Sequence, residues 1–109
     1  MNTKRKIGIV AFTTAFGALG CMSSLPPHDL VTARTTYERA STGPARELDP
    51  ADLHLAKQQL DIAEAAFREN GDTQGTRDQA YLATRKAELA EVLARTLQAK
   101  QAQAFANVR

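Results

Sequence analysis

Cys21 is the residue with the clearest chemistry in this sequence. It is the single cysteine among 109 residues, and it follows three basic residues, the uncharged run 7–20 and Gly20. A basic segment, an apolar segment and small residues at the cleavage point are typical of a secretory signal. A thiol directly after that point can accept a diacylglyceryl group. We therefore predict a lipoprotein-type signal peptide at 1–20 and lipidation of Cys21.

Two other interpretations of the N-terminus stay open. Ala18 and Leu19 stand where the usual lipoprotein signal has a leucine and then a small residue. Ordinary signal cleavage would leave Cys21 as a free thiol. An uncleaved membrane anchor is the other alternative, because the uncharged run 7–25 is near the lower length limit for a transmembrane helix. Glycines, serines and threonines within that run weaken the anchor.

Composition and charge limit the class of protein. The chain has a formal charge of +2, and removing the +3 of Lys4, Arg5 and Lys6 with the signal leaves −1. The aromatic residues after the signal are dispersed, so neither charge nor stacking favours a nucleic-acid partner. One cysteine forms no intramolecular disulfide, and a chain of this size buries a marginal core. Long helices or a partner would have to supply the missing stability.

The residue types that perform catalysis or bind metals are not grouped in this sequence. His54 points away from the predicted apolar face of its helix, and His28 lies at a helix start, so both are interpreted as surface residues. Carboxylate pairs at helical spacing are interpreted as parts of a solvated surface: Asp61 with Glu64, and Glu88 with Glu91. Neither a phosphate-binding loop nor a nucleophile motif occurs. We expect a protein that is not an enzyme and has no metal or cofactor.

Three helices account for the remaining pattern. The first is predicted to start near His28, with Asp29 as its N-cap, and to stop at Gly43-Pro44. The second is predicted to start at Asp49-Pro50, because aspartate caps a helix and proline fits its first position. Its end is predicted at Asn70-Gly71. The third is predicted to start at Thr76, which forms a capping-box pattern with Gln79, and to extend to about Phe105.

Apolar residues recur along each helix at alternating spacings of three and four, which is the period of one helical face. On the first helix this pattern comprises Leu30, Ala33, Tyr37 and Ala40. On the other two helices it forms a core seam of eleven residues: Leu53, Ala56, Leu60, Ala63, Phe67, Ala80, Ala83, Ala87, Ala90, Ala94 and Leu97. Leu82, Leu89 and Leu93 are predicted to flank this core seam and widen the buried face. No strand is predicted.

The alanine repeat of the third helix, the segment from Ala45 to Leu60 and the lipoprotein signal together resemble a known family. It is the alanine-rich helical domain of unknown function, family 4398 (DUF4398-like), of Gram-negative envelope lipoproteins. The resemblance covers about 30–100 and implies an all-α fold. It brings no catalytic residue with it.

These observations predict an all-α protein in which a short N-terminal helix packs on a long antiparallel helical hairpin, after a cleavable signal. The domain boundaries are predicted as signal 1–20, tether 21–28, helical domain 29–105 and tail 106–109. We expect a non-catalytic structural or helix-mediated interaction module, held at a membrane by its N-terminal lipid. The expected location is the cell envelope, with the outer membrane facing the periplasm favoured because Met22 rather than aspartate follows Cys21. A soluble periplasmic binding or chaperone-like protein is the alternative. The expected partner is an envelope protein or another copy, bound through the segment from Leu97 to Phe105.

Overall fold

The structure is a computed structural model that describes residues 24–108. Within that range the chain forms four helices and no strand: α1 (His28–Thr42), α2 (Ala45–Leu48), α3 (Pro50–Asn70) and α4 (Gln74–Asn107). The predicted signal at 1–20 and the lipidation site Cys21 lie outside the described residues. The predicted all-α fold is confirmed. The helices extend slightly beyond the predicted domain at both ends.

The starts of α1 and α3 differ in how they are capped. Helix α1 begins at His28 after Pro27, which has an extended backbone and makes no side-chain cap. The prediction of Asp29 as N-cap is therefore wrong, and this residue lies in the first turn, where its negative charge opposes the positive end of the helix dipole. Helix α3 begins as predicted, because the Asp49 side chain accepts a hydrogen bond from the Asp52 N–H at 3.4 Å.

Helix α4 starts one turn earlier than predicted. Thr73 is its N-cap, and the Thr73 hydroxyl accepts the Thr76 N–H at 3.2 Å. Thr76 is itself buried, and its hydroxyl donates to the Gly71 carbonyl at 2.8 Å. The predicted capping box of Thr76 with Gln79 is therefore wrong, since both side chains have other partners. Gly71 ends α3 as predicted, with a positive φ of 71° that favours glycine.

One element was not predicted. The four residues of α2 follow Pro44 and make a single turn between α1 and α3. Its backbone N–H groups donate to the carbonyls of Gly43 and Pro44, and the N–H of the following residue, Asp49, donates to the Ala45 carbonyl. The turn buries Ala45 and lets the half-buried Leu48 pack against the same apolar cluster. It therefore closes the end of the molecule that lies opposite the α3–α4 loop.

Helices α3 and α4 form an antiparallel hairpin, and α1 packs on both of them. One apolar cluster lies near the α3–α4 loop and comprises Leu30, Ala33, Leu60, Ala63, Ala80 and Ala83. The other lies toward α2 and comprises Ala40, Ala45, Leu53, Ala56, Ala87, Ala90 and Ala94. Tyr37 packs against both clusters, so one partly buried side chain of α1 joins them. The predicted arrangement of a short first helix on a long hairpin is confirmed.

Candidate interaction surfaces

The core seam lies where α3 meets α4 and α1. Nine of its eleven residues are buried, and Phe67 is half-buried against the cluster near the α3–α4 loop. Leu97 differs from the rest, because its side chain is 41% exposed. It lies beyond Ala94, which is the last buried residue of α4. The placement of Leu97 in the core seam is therefore wrong, because no described helix reaches far enough to cover it.

Alanine dominates the buried part of α4, where five of the six buried residues are alanines. A methyl group at each contact position lets two helix backbones pack with little space between them.

The predicted flanking residues Leu82, Leu89 and Leu93 do not widen the buried face. Their exposed fractions are 44%, 51% and 38%. That part of the prediction is wrong, because α1 covers only one side of the hairpin and these leucines lie on the other.

Two ion pairs mark the side of the hairpin that α1 covers. The Arg34 guanidinium donates to both carboxylate oxygens of Glu64 on α3, with an Nη2–Oε2 distance of 2.7 Å. Arg39 donates in the same way to Glu91 on α4, at 2.7 Å and 3.0 Å. Such two-bond pairs fix geometry as well as adding attraction. The hydrogen bonds and positive charge of Arg34 hold the pKa of Glu64 below its usual range.

The relative position of α3 and α4 is set by a polar pair inside the interface. Gln59 is buried, and its Nε2 donates to the Oε1 of Gln79 at 2.6 Å. A weaker bond of 3.4 Å goes from the same nitrogen to the Gln79 carbonyl. Because an unpaired buried amide would cost free energy, sliding one helix along the other is disfavoured. Nothing in the local sequence marks this pair, since 20 residues separate its members.

Asp49 carries the one buried side-chain oxygen without a hydrogen-bond partner among residues 24–108. Its Oδ1 caps α3, whereas its Oδ2 is enclosed and makes no bond. Burial and the neighbouring Asp52 raise the pKa of the Asp49 carboxyl above its usual value. The Asp49 side chain thus stabilises the start of α3 through its hydrogen bond, whereas its buried charge costs free energy. Replacing Asp49 by asparagine would keep a capping oxygen and remove that charge.

The residues considered for catalysis or metal binding lie apart or are already paired. His28 and His54 are both exposed. The carboxylates of the two pairs each contact a different basic side chain: Asp61 with Lys57, Glu64 with Arg34, Glu88 with Arg85, and Glu91 with Arg39. Within residues 24–108, no three His, Cys, Asp or Glu residues come together as a metal site would require.

The C-terminal part of α4 forms an exposed surface beyond the packed helices. Helix α4 has 34 residues and α3 has 21, so their lengths are about 51 Å and 32 Å. Every residue of 95–108 is exposed, and this segment is here called the overhang. Phe105 and Val108 are more than four-fifths exposed, and with Gln101 and Ala104 they line a shallow depression. The overhang contains basic residues and no acidic one.

The helical region is similar to a known family over most of its length. Residues 28–106 match the profile of a family described as a domain of unknown function, DUF4398. The chain belongs to this family. No curated protein and no solved structure matches it. The matched range begins with α1 and ends one residue before the end of α4, so the family's defining region is the packed helical body together with the overhang. No helix among the described residues is long and apolar enough to cross a membrane.

Proposed function

We propose that this protein is a membrane-tethered lipoprotein of the cell envelope that acts as a non-catalytic, helix-mediated interaction module. The observation that carries the proposal is the overhang, a helix extension whose apolar side chains have no cover in the described chain. A helix that projects about 20 Å beyond its bundle gains no tertiary stabilisation there unless something packs on it.

The tether is proposed from Cys21 and the segment before it. The basic residues, the uncharged run and Gly20-Cys21 support export followed by acylation of the thiol. Several acyl chains on one N-terminal cysteine give stable anchoring, because each buried methylene contributes about 0.8 kcal/mol. The helical body begins at His28, only seven residues after Cys21. The module would thus lie close to the membrane surface, with the outer membrane facing the periplasm as its proposed location.

The test is the intact mass of the protein from the membrane fraction. We expect the mass of residues 21–109 plus acyl chains. Cys21→Ser should be left unprocessed, whereas the neighbouring Met22→Ser, which keeps the thiol, should be processed normally. An unmodified chain in the soluble periplasm would refute the tether and favour the soluble binding or chaperone-like alternative. A full-length chain held in the membrane, with no acyl group, would indicate the uncleaved anchor.

A further inference from the structure

Large apolar side chains are distributed unusually between the core and the surface of this domain. Among the described residues, the buried hydrophobic core has 13 members, and ten of them are alanine. Besides Leu97 of the overhang, five leucine or isoleucine side chains of α3 and α4 are instead between 38% and 51% exposed: Leu55, Ile62, Leu82, Leu89 and Leu93. We call these five residues the open face. Monomeric proteins rarely expose a large contiguous apolar patch unless it binds something.

The five residues share one side of the hairpin. Glu64 and Glu91 face α1 through their arginine partners. On the helical wheel, at about 100° per residue, Ile62 and Leu89 lie on the opposite flanks of their helices. The short loop between Asn70 and Gln74 brings Ile62 near the level of Leu82 and Leu55 near that of Leu89, because the members of each pair are equally far from the loop. The open face is therefore a continuous strip two helices wide.

We propose that a second copy of this chain covers the open face, with the two α4 helices antiparallel and related by a two-fold axis at Leu89. Along α4, this side of the helix comprises positions at spacings of three and four: Asp78, Leu82, Arg85, Leu89, Leu93, Thr96 and Lys100. The two-fold axis places Leu89 opposite its own copy and Leu82 opposite Thr96. It also places Arg85 opposite Leu93 and Asp78 opposite Lys100, so the charges at the two ends of the strip are complementary.

Charge supports this antiparallel order. Asp78 accepts a hydrogen bond from the neutral Gln74 side chain and makes no ion pair among the described residues. Lys100 lies on the overhang, which has basic residues and no acid. An antiparallel pair brings Asp78 of each copy to Lys100 of the other, twice in the dimer. A parallel pair would align Lys100 with Lys100, and like charges disfavour such an arrangement.

The available length suits a stable interface. The segment from Asp78 to Lys100 spans about 33 Å of helix. On a face two helices wide, this extent is comparable with the about 800 Å² that each partner buries in a standard interface. The same arrangement lays the overhang of one copy beside the α3–α4 loop of the other. The inference names the partner of the proposed interaction module and rests on that role, but it does not depend on the lipid.

Disulfide trapping in cells that express the full chain tests the register. We expect Leu89→Cys to give a covalent dimer on mild oxidation, because the axis brings the two substituted positions within the about 7 Å that a disulfide allows between Cα atoms. Leu82→Cys is the matched control on the same face. Its two copies would be about 21 Å apart along the helices, so at least tenfold less dimer is expected. The unsubstituted chain measures any contribution of Cys21.

The outcomes separate this proposal from the others. Equal dimer yields from the two variants, or none from Leu89→Cys, would overturn the antiparallel dimer. A disulfide from Leu89→Cys to a different protein would assign the open face to that partner instead. If the intact mass shows no acyl group but Leu89→Cys still forms the dimer, the tether fails and the dimer stands.

A charge exchange provides a second test that does not use cysteine. Asp78→Lys places like charges opposite each other, and we expect it to weaken the dimer at least tenfold in sedimentation equilibrium. Adding Lys100→Asp to the same chain should restore the dimer, because the two charges then exchange places. Failure of the double variant to recover would contradict the pairing of Asp78 with Lys100. Circular dichroism would show that both variants keep their helix content, since both positions are exposed.

Discussion

Replacing Leu60 by alanine tests whether the few leucines in the alanine-rich core stabilise the fold. Leu60 is 7% exposed and packs in the cluster that joins all three long helices. Leu60→Ala removes apolar carbons worth about 2.4 kcal/mol of transfer free energy, at about 0.8 kcal/mol per methylene. A cavity adds to this cost, so the total should be about 3 kcal/mol. That is a large share of the 5–15 kcal/mol that stabilises a typical domain.

The expected shift is measurable by thermal unfolding followed by circular dichroism. For a domain of this size each 1 kcal/mol lowers the melting temperature by about 4–8 °C, so Leu60→Ala should lower it by about 12–24 °C. Leu97→Ala is the matched control, because the sequence pattern puts both leucines in the core seam whereas the structure exposes Leu97. We expect a change within about 0.5 kcal/mol there, since alanine is also the better helix former.

Equal melting temperatures for Leu60→Ala and Leu97→Ala would refute the burial argument. A large loss for Leu97→Ala alone would mean that the overhang packs against something in solution. The measurement should be repeated over a range of protein concentrations, because a partner copy that binds only the folded state makes the melting temperature depend on concentration. The loss at Leu60 should persist at the lowest concentration.

Removing the side-chain charge should have opposite effects on stability at Asp49 and at Glu64. Asp49→Asn keeps a capping oxygen and removes the buried charge, so it should raise the melting temperature at neutral pH, whereas Asp49→Ala loses the cap and should cost about 1 kcal/mol in urea unfolding. The folded-state pKa of Glu64 is lowered by Arg34, so the stability from this pair is present above the ordinary pKa of 4.5 and is lost as pH falls through the lowered value. Glu64→Gln should therefore lose less stability than the unsubstituted chain on acidification below about pH 4.5, and equal losses would contradict the pair.

The three longer helices could be predicted because each carries a local signal. Asp49-Pro50 starts α3 through a cap and a suitable first residue, and Gly71 ends it through a positive φ. The alternation of three and four residues identifies the buried alanines without any knowledge of the partner helix. The predicted start of α4 was wrong because Thr73 and Thr76, three residues apart, are both suitable N-cap residues. The single turn of α2 is too short to have a period.

The surfaces could not be predicted in the same way, because they depend on where α1 lies. Leu82, Leu89 and Leu93 have the spacing of a buried face, and on sequence alone either flank of the alanines could be covered. The structure places α1 on the flank that contains Glu91, held there by Arg39. The 52 residues between this pair leave no local sequence signal. Exposure of these leucines, and with it the open face, therefore depends on the position of α1 in the tertiary structure.

The alanine core and the exposed leucines have one common physical explanation. An alanine contact position lets helices approach closely but removes only a methyl group from water, so a core built mainly from alanine gains little hydrophobic free energy per residue. The open face would add further hydrophobic free energy, but only when a second surface covers it. A chain with this distribution would therefore gain additional stability through the proposed association. Such a module would be most stable where its local concentration is high, and tethering many copies to one membrane by Cys21 would provide that condition.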